Sequence, residues 1–254
     1  MTSAPAISDQ NQWKKAAAEA AAQLVKSGMV VGLGTGSTAA FVVAELGRRV
    51  ASEGLRIIGI PTSERTAEQA RGLNIPLTTF AEKQHIDLTI DGADEVERES
   101  LHLIKGLGGA LLREKIVAAA STHMVVIADD TKLVDHLGMR TSVPVEVVPF
   151  GWEVTQESVK KLGSAPKLRT MADGKPYITD GGHYILDCAF GKIDKPKELA
   201  RLLDHSVGVV EHGLFLDFAW QVFVGGKKGV TIMKRDDLES PLPAPKAVAQ
   251  RKRK

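Results

Sequence analysis

The run Gly32-Leu33-Gly34-Thr35-Gly36-Ser37-Thr38 limits the fold more than any other stretch of the chain. It sits between a short apolar segment, residues 29–33, and a segment at 39–50 that reads as a helix. A four- or five-residue apolar run has the length of a buried strand. Glycines directly after it let the backbone turn sharply and leave room for a ligand beside the next helix. The same strand–turn–helix pattern then repeats. Strands are expected at 56–60, 86–90 and 124–128, and helices at 13–27, 64–72 and 110–121, with Gly28 ending the first. Strands and helices alternating at this length imply an open, Rossmann-like parallel α/β sheet covered on both faces.

The pattern changes near residue 141. Strands are expected at 145–148, 167–170, 177–188 and 209–215, with helices at 152–162 and 197–203. That order is β-α-β-β-α-β, the ferredoxin-like split unit. Short strands at 218–224 and 230–233 are expected to return to the first sheet. The reading is therefore a Rossmann-like catalytic domain of residues 1–140 and 211–240, a small ferredoxin-like α+β domain at 141–210, and a basic, disordered tail at 241–254.

Composition narrows the class. The 254 residues are 43% apolar and 25% charged, which suits a folded enzyme and excludes a disordered or collagen-like chain. The net charge of +2 is misleading. Residues 241–254 hold five bases and no acids, so residues 1–240 hold 28 bases against 31 acids. A nucleic-acid partner would have to rest on the terminal RKRK alone, and none is expected. The single Cys188 cannot form an internal disulfide, which points to a reducing, cytoplasmic setting. No apolar run has the length of a membrane span, and MTSAPAISDQNQ lacks the features of a secretory signal.

Three segments can carry chemistry. The first is the glycine-rich turn. Thr35, Gly36, Ser37 and Thr38 combine hydroxyls with free amides at a helix start, which suits a phosphate. The spacing is G-x-G-x-G rather than the dinucleotide G-x-G-x-x-G, and Pro61-Thr62-Ser63 stand where a ribose-binding acid would be. Thr62 and Ser63 suit a helix cap better than a site lining. The second segment is Asp91-Gly92-Ala93-Asp94, at a strand's carboxyl end, where open sheets bind ligands. Its carboxylates can exchange protons or hold sugar hydroxyls, or can form an Asp-Gly turn with a helix cap. Glu95, Glu97 and Glu99 are read as solvated. The third is Lys105-Gly106-Leu107-Gly108-Gly109 leading into a helix with Glu114. Lys105 suits a phosphate or a developing oxyanion, and Glu114 among apolar neighbours is a candidate general base. Periodicity does not separate Glu114 from Lys115, whose neighbours are equally apolar. Lys132, after Ala128-Asp129-Asp130-Thr131, is either a surface lysine or a further anion contact. No metal-ligand spacing and no G-x-S-x-G turn occur.

In order along the chain, GLGTGSTAAFVVAELG, TSERT, IDGADEVE, IKGLGGALLREKIVA, IADDTK, SVPVEVVPF and VVEHGLF closely resemble the ribose-5-phosphate isomerases of the A type over residues 14–235. The resemblance implies interconversion of D-ribose 5-phosphate and D-ribulose 5-phosphate through an enediol(ate), in the non-oxidative pentose phosphate pathway. It implies no cofactor and no metal, and a homodimer or homotetramer. It assigns the proton acceptor to Glu114, with Asp91, Asp94 and Lys105 assisting. It assigns substrate binding to Thr35, Gly36, Ser37, Thr38, Asp91, Gly92, Ala93, Asp94, Lys105, Gly106, Leu107, Gly108 and Lys132. Leu107 departs from the family, which often has glycine there. A deaminase, a lactonase or a non-catalytic sugar-phosphate sensor of the same architecture is the alternative.

Overall fold

The computed structural model describes residues 9–235. The expected tail at 241–254 lies outside these residues. In chain order the elements are α1 (Asp9–Ala22), β1 (Val30–Leu33), α2 (Ala39–Glu53), β2 (Ile58–Pro61), α3 (Glu64–Gly72), β3 (Ile86–Gly92), β4 (Glu95–Glu97) and β5 (Leu103–Ile104). There follow α4 (Leu111–Ala119), β6 (Ser121–Asp129), a single 3-10 turn (Asp130–Lys132), β7 (Leu133–Val134), β8 (Val143–Val147), α5 (Trp152–Lys160), β9 (Ala165–Leu168) and β10 (Tyr184–Ala189). The last are α6 (Pro196–Asp204), β11 (Val209–His212), β12 (Leu214–Phe215), β13 (Ala219–Gly226) and β14 (Gly229–Lys234).

Six strands form the main sheet in the order β14-β13-β6-β3-β1-β2, all parallel except the edge strand β14. The two-residue period of a strand explains how both faces become buried. Val125 and Ile127 of β6 join Val31, Leu33, Leu88 and Ile90 under α1 and α2. Met124, Val126 and Ala128 of the same strand point the other way, against Val96, Leu103 and Phe215. Those last residues belong to a small sheet of order β12-β5-β4-β7, which the sequence reading did not contain. Its strands are two or three residues long, too short for a hydrophobic period to register.

The second domain follows the expected β-α-β-β-α-β order. Its sheet runs β11-β8-β10-β9, antiparallel throughout, around Val143, Val145, Val147, Leu186 and Leu203. Several boundaries differ from expectation. The first helix ends at Ala22, because Gln23, Leu24 and Val25 close tight turns onto Ala20, Ala21 and Ala22 before Gly28 is reached. The strand expected at 177–188 is confined to Tyr184–Ala189, since Thr179 to His183 close a turn.

The strand expected at 209–215 is two strands in two sheets. Gly213 separates them, donating to the Pro144 carbonyl and accepting from the Lys105 amide. A Cβ on Gly213 would lie 2.2 Å from the Lys105 carbonyl oxygen, so only glycine allows this crossing of three chain segments.

Glu95 corrects the expectation of a solvated acid. It is 0% exposed, and its carboxylate accepts hydrogen bonds from the amides of Gly138 (2.7 Å), Arg140 (2.6 Å) and Thr141 (2.7 Å). The passage from the main domain into the small one is thus tied to one buried carboxylate. Glu95→Ala leaves those amides without an acceptor, and chemical denaturation is expected to show a loss of about 3 kcal/mol or more.

Candidate active site

The loops after β1, β3 and β5 and the start of α4 converge at the carboxyl end of the main sheet. They enclose a cleft lined by Thr35, Gly36, Ser37, Thr38, Gly92, Ala93, Asp94, Lys105, Gly106, Gly108, Glu114, Lys132 and Lys14. Gly34 lets the first loop close on the second, since a Cβ there would lie 2.2 Å from Asp91 Oδ1. The Thr35 amide donates to that same oxygen at 3.0 Å.

At the floor is a buried charge cluster. Lys105 Nζ lies 2.9 Å from Asp91 Oδ2 and 3.4 Å from Glu114 Oε1, and donates to the Gly92 carbonyl at 2.6 Å. The ammonium is also 5.3 Å from the centre of the Phe215 ring. Lys105 is 2% exposed, Asp91 0% and Glu114 4%. Among the described residues the other Glu114 oxygen, Oε2, is buried without a hydrogen-bond partner, and Asp91 Oδ2 has only its ion pair with Lys105.

Burial pushes the Glu114 carboxyl up to about 8; Lys105 opposes the shift, and the charges of Asp91 and Asp94 reinforce it. Asp91 is also raised by burial, against Lys105 and the amides of Gly92 and Thr35. Burial alone would lower Lys105, but Asp91 and Glu114 hold it above the ordinary lysine range. Asp91 has two amides and a close ammonium, whereas Glu114 has one longer contact.

The sequence-predicted residues do not all face the cleft. Asp91 does not line it; it lies beneath, fixing Lys105 and the first loop, so direct contact with a ligand is closed to it as the loops stand. The Thr35 hydroxyl is turned into a cluster with Thr62 (2.7 Å), Ser63 (2.8 Å) and Thr66 (3.2 Å), so it is already engaged within the protein. Ser63 caps α3, as its residue type suggested. Leu107 is 46% exposed and absent from the lining, but its amide donates to Asp94 Oδ2 at 2.9 Å. The rotation of α4 separates Glu114 from Lys115: Glu114 turns to the cleft, while Lys115 pairs with Glu211 at 2.6 Å.

Lys14 was missed. Its ammonium donates to Ser37 Oγ at 3.4 Å and lines the cleft beside the start of α2. The sequence offered only a lysine in an alanine-rich helix. A helix that runs back across a parallel sheet, however, sets its first turns over the strands' carboxyl ends.

A larger cavity, about 590 Å³, lies between β2, α3 and α4, but no sequence-predicted site residue lines it. Among the described residues Asp204, Glu211 and His212 could cluster around a metal. There the Lys115 ammonium already bonds Glu211 and the His212 carbonyl, each at 2.6 Å, and His212 Nε2 lies 3.1 Å from Asp204. This is a salt-bridge network joining α4 to the small domain.

Comparison with known proteins agrees with the geometry. The family model of ribose 5-phosphate isomerase A (phosphoriboisomerase A) matches residues 58–229. A ribose-5-phosphate isomerase A from Synechococcus sp. (strain JA-3-3Ab) is 56% identical over 229 residues, covering 90% of this chain and all of the relative. One from Gluconobacter oxydans (strain 621H) is 58% identical over 223 residues, 87% of this chain and 96% of the relative. Among solved structures, ribose 5-phosphate isomerase A from Methanocaldococcus jannaschii has a TM-score of 0.85 at 42% identity, covering 88% of this chain and 99% of that one. A D-ribose-5-phosphate isomerase in complex with phospho-erythronic acid has a TM-score of 0.86 at 37% identity, covering 89% and 99%.

The charge cluster makes a signed prediction. Carboxyl-carbon NMR of Glu114 is expected to show a titration well above the ordinary glutamate range. Asp91→Asn, which removes a like charge, should lower that pKa, and Lys105→Met, which removes the counter-ion, should raise it.

Proposed function

The chain belongs to the ribose 5-phosphate isomerase A family, and on that premise we propose that it interconverts D-ribose 5-phosphate and D-ribulose 5-phosphate by proton transfer through an enediol(ate), a step of the non-oxidative pentose phosphate pathway. The observation that carries this reading is the Glu114 carboxylate: buried at the cleft wall, with Oε1 3.4 Å from Lys105 Nζ and Oε2 unpartnered. A carboxylate with one free oxygen and a raised pKa is suited to take a proton from carbon near neutral pH.

The steps follow from the cleft. The phosphate docks at Gly36, Ser37 and Thr38 at the start of α2, where amides without helix partners and the ammonium groups of Lys14 and Lys132 meet it. Asp94 faces the sugar and assists ring opening. Glu114 then removes the proton from C2 of the open aldose and returns it to C1, while the proton of the C2 hydroxyl passes to O1 with Asp94 assisting, so that the C1 carbonyl becomes a hydroxyl and C2 becomes the carbonyl of the ketose. Between those transfers negative charge develops on the sugar oxygens. Lys105 and the loop amides stabilise it, the larger share of the acceleration. Asp91 acts through Lys105, holding its ammonium in place.

The route uses this chain's own groups, with no metal or cofactor. We also propose a cytoplasmic homodimer or homotetramer. Cys188 is buried and unpaired, and no helix among the described residues is long and apolar enough to cross a membrane. Phe150 (93% exposed), Val154 (73%) and Val207 (91%) offer apolar surface on the small domain for self-association. Light scattering tests this; a monomer at micromolar concentration would refute it.

Incubation with ribose 5-phosphate and EDTA in deuterium oxide is expected to give ribulose 5-phosphate with deuterium at C1, read by proton NMR. No product from folded protein would refute the assignment. Glu114→Gln is expected to lower kcat by roughly 10²–10⁴-fold while sparing substrate binding. A base must be ionised to act, so kcat/KM should rise with pH toward about 8, the value to which burial pushes Glu114. Lys14→Ala should raise KM more than it lowers kcat.

A further inference from the structure

The Lys105–Gly109 loop is gripped from behind by the small domain. Arg169, just after β9, donates from one guanidinium nitrogen, Nη1, to the Gly106 carbonyl (3.0 Å) and the Leu107 carbonyl (3.1 Å). Its other edge makes a two-pronged pair with Asp187 of β10, Nε to Oδ2 at 2.9 Å and Nη2 to Oδ1 at 2.5 Å. The guanidinium carbon lies 5.9 Å from the centre of the Tyr177 ring. Tyr177 in turn fills the space where a Cβ on Gly109 would stand, 2.2 Å from its hydroxyl. Arg169 itself is absent from the cleft lining.

The consequence follows from peptide geometry. In a trans peptide the carbonyl and the amide point in opposite directions. Holding the Gly106 and Leu107 carbonyls on the Arg169 side turns the Leu107 and Gly108 amides to the other side. The Leu107 amide is found there, on Asp94 Oδ2, a cleft residue. The Gly108 amide has no acceptor among the described residues, and Gly108 lines the cleft. Gly106 supports the arrangement with φ +109°, closing the turn in which the Gly109 amide donates to the Gly106 carbonyl at 3.0 Å.

We propose that Arg169, braced by Asp187, is a positioning residue for the isomerisation: it aims the Gly108 amide into the cleft as a donor to the developing enediolate oxygen, and holds Asp94 through the Leu107 amide. The inference rests on the isomerase reading for its kinetic part. A fixed donor works because it needs no reorganisation as charge develops. A lysine at 169 reaches one carbonyl but cannot span two carbonyls and a carboxylate, so Arg→Lys is not conservative here.

The test compares Arg169→Ala, Arg169→Lys and Asp187→Asn with the parent chain. It measures ribose 5-phosphate kinetics, affinities for phospho-erythronic acid and for inorganic phosphate, and the Gly108 amide shift by NMR. Phospho-erythronic acid places a carboxylate where charge would develop. For Arg169→Ala the expected result is a kcat lower by roughly 10–100-fold with KM changed less than about threefold, part of the loss of one oxyanion donor. Phospho-erythronic acid affinity should fall by a similar factor, inorganic phosphate affinity should stay, and Arg169→Lys should recover part of both losses. In the parent chain phospho-erythronic acid should shift the Gly108 amide downfield, and in Arg169→Ala it should not.

A folded Arg169→Ala with kcat within twofold of the parent overturns the proposal. So does a parallel loss of inorganic phosphate affinity, which would mean general collapse of the site. If Arg169→Ala does not fold, Arg169→Lys and Asp187→Asn carry the same readouts. If the parent chain does not turn over ribose 5-phosphate, the isomerase reading fails, while the amide shift and phospho-erythronic acid affinity still decide the positioning role.

Discussion

A buried ammonium between two buried carboxylates sets the terms for everything around it. Lys105 is almost sealed from solvent, with Asp91 at 2.9 Å and Glu114 at 3.4 Å. Taking such charges out of water is costly, and only close geometry and further hydrogen bonds compensate. The fold supplies them unequally. Asp91 receives the amides of Thr35 and Gly92, and the Phe215 ring faces the ammonium. Glu114 receives little beyond its long contact with Lys105. The asymmetry leaves Asp91 as the better-satisfied partner of the ammonium and Glu114 as the less-satisfied one, which suits the proton transfer proposed for Glu114.

The architecture around the cluster can be understood as the means of bringing its members together. Asp91 ends β3, Lys105 follows β5, and Glu114 lies in the first turn of α4. The short sheet of β12, β5, β4 and β7 turns the chain back after β3, so that two acids and a lysine from one stretch of sequence meet at one point. Gly213 then ties the lysine's own backbone to the small domain, because no side chain fits where those segments cross.

Much of this was legible in the sequence, for physical reasons that also explain the failures. The main sheet could be read because buried parallel strands are continuous apolar runs, and the site loops because glycine, hydroxyl and acidic residues stand where strands end. The two-residue strands carry no period. In sequence Glu95 resembled Glu97 and Glu99; only Glu99 is solvated, since Glu97 is largely covered and accepts from the Ser100 hydroxyl, and the returning backbone at 138–141 makes Glu95 a fully buried acceptor. Lys14 and Arg169 are far in sequence from the loops they serve, and a lone basic residue reads as surface. Thr35 lines the cleft, but its hydroxyl is spent on its neighbours.

The first turn of α4 addresses three parts of the molecule with three successive side chains. Arg113 reaches Glu64 and Asp180, Glu114 faces the cleft, and Lys115 holds Glu211 beneath the small domain. Successive helical positions differ by about 100°. A one-residue slip of register within α4 would therefore do more than move the Glu114 carboxylate by a few ångströms. It would carry that carboxylate more than a quarter turn away and present a neighbouring cation to the cleft. The buried face of Leu111, Val117 and Ala118, which fixes the phase of the helix, is thus as much a part of the site as the carboxylate itself.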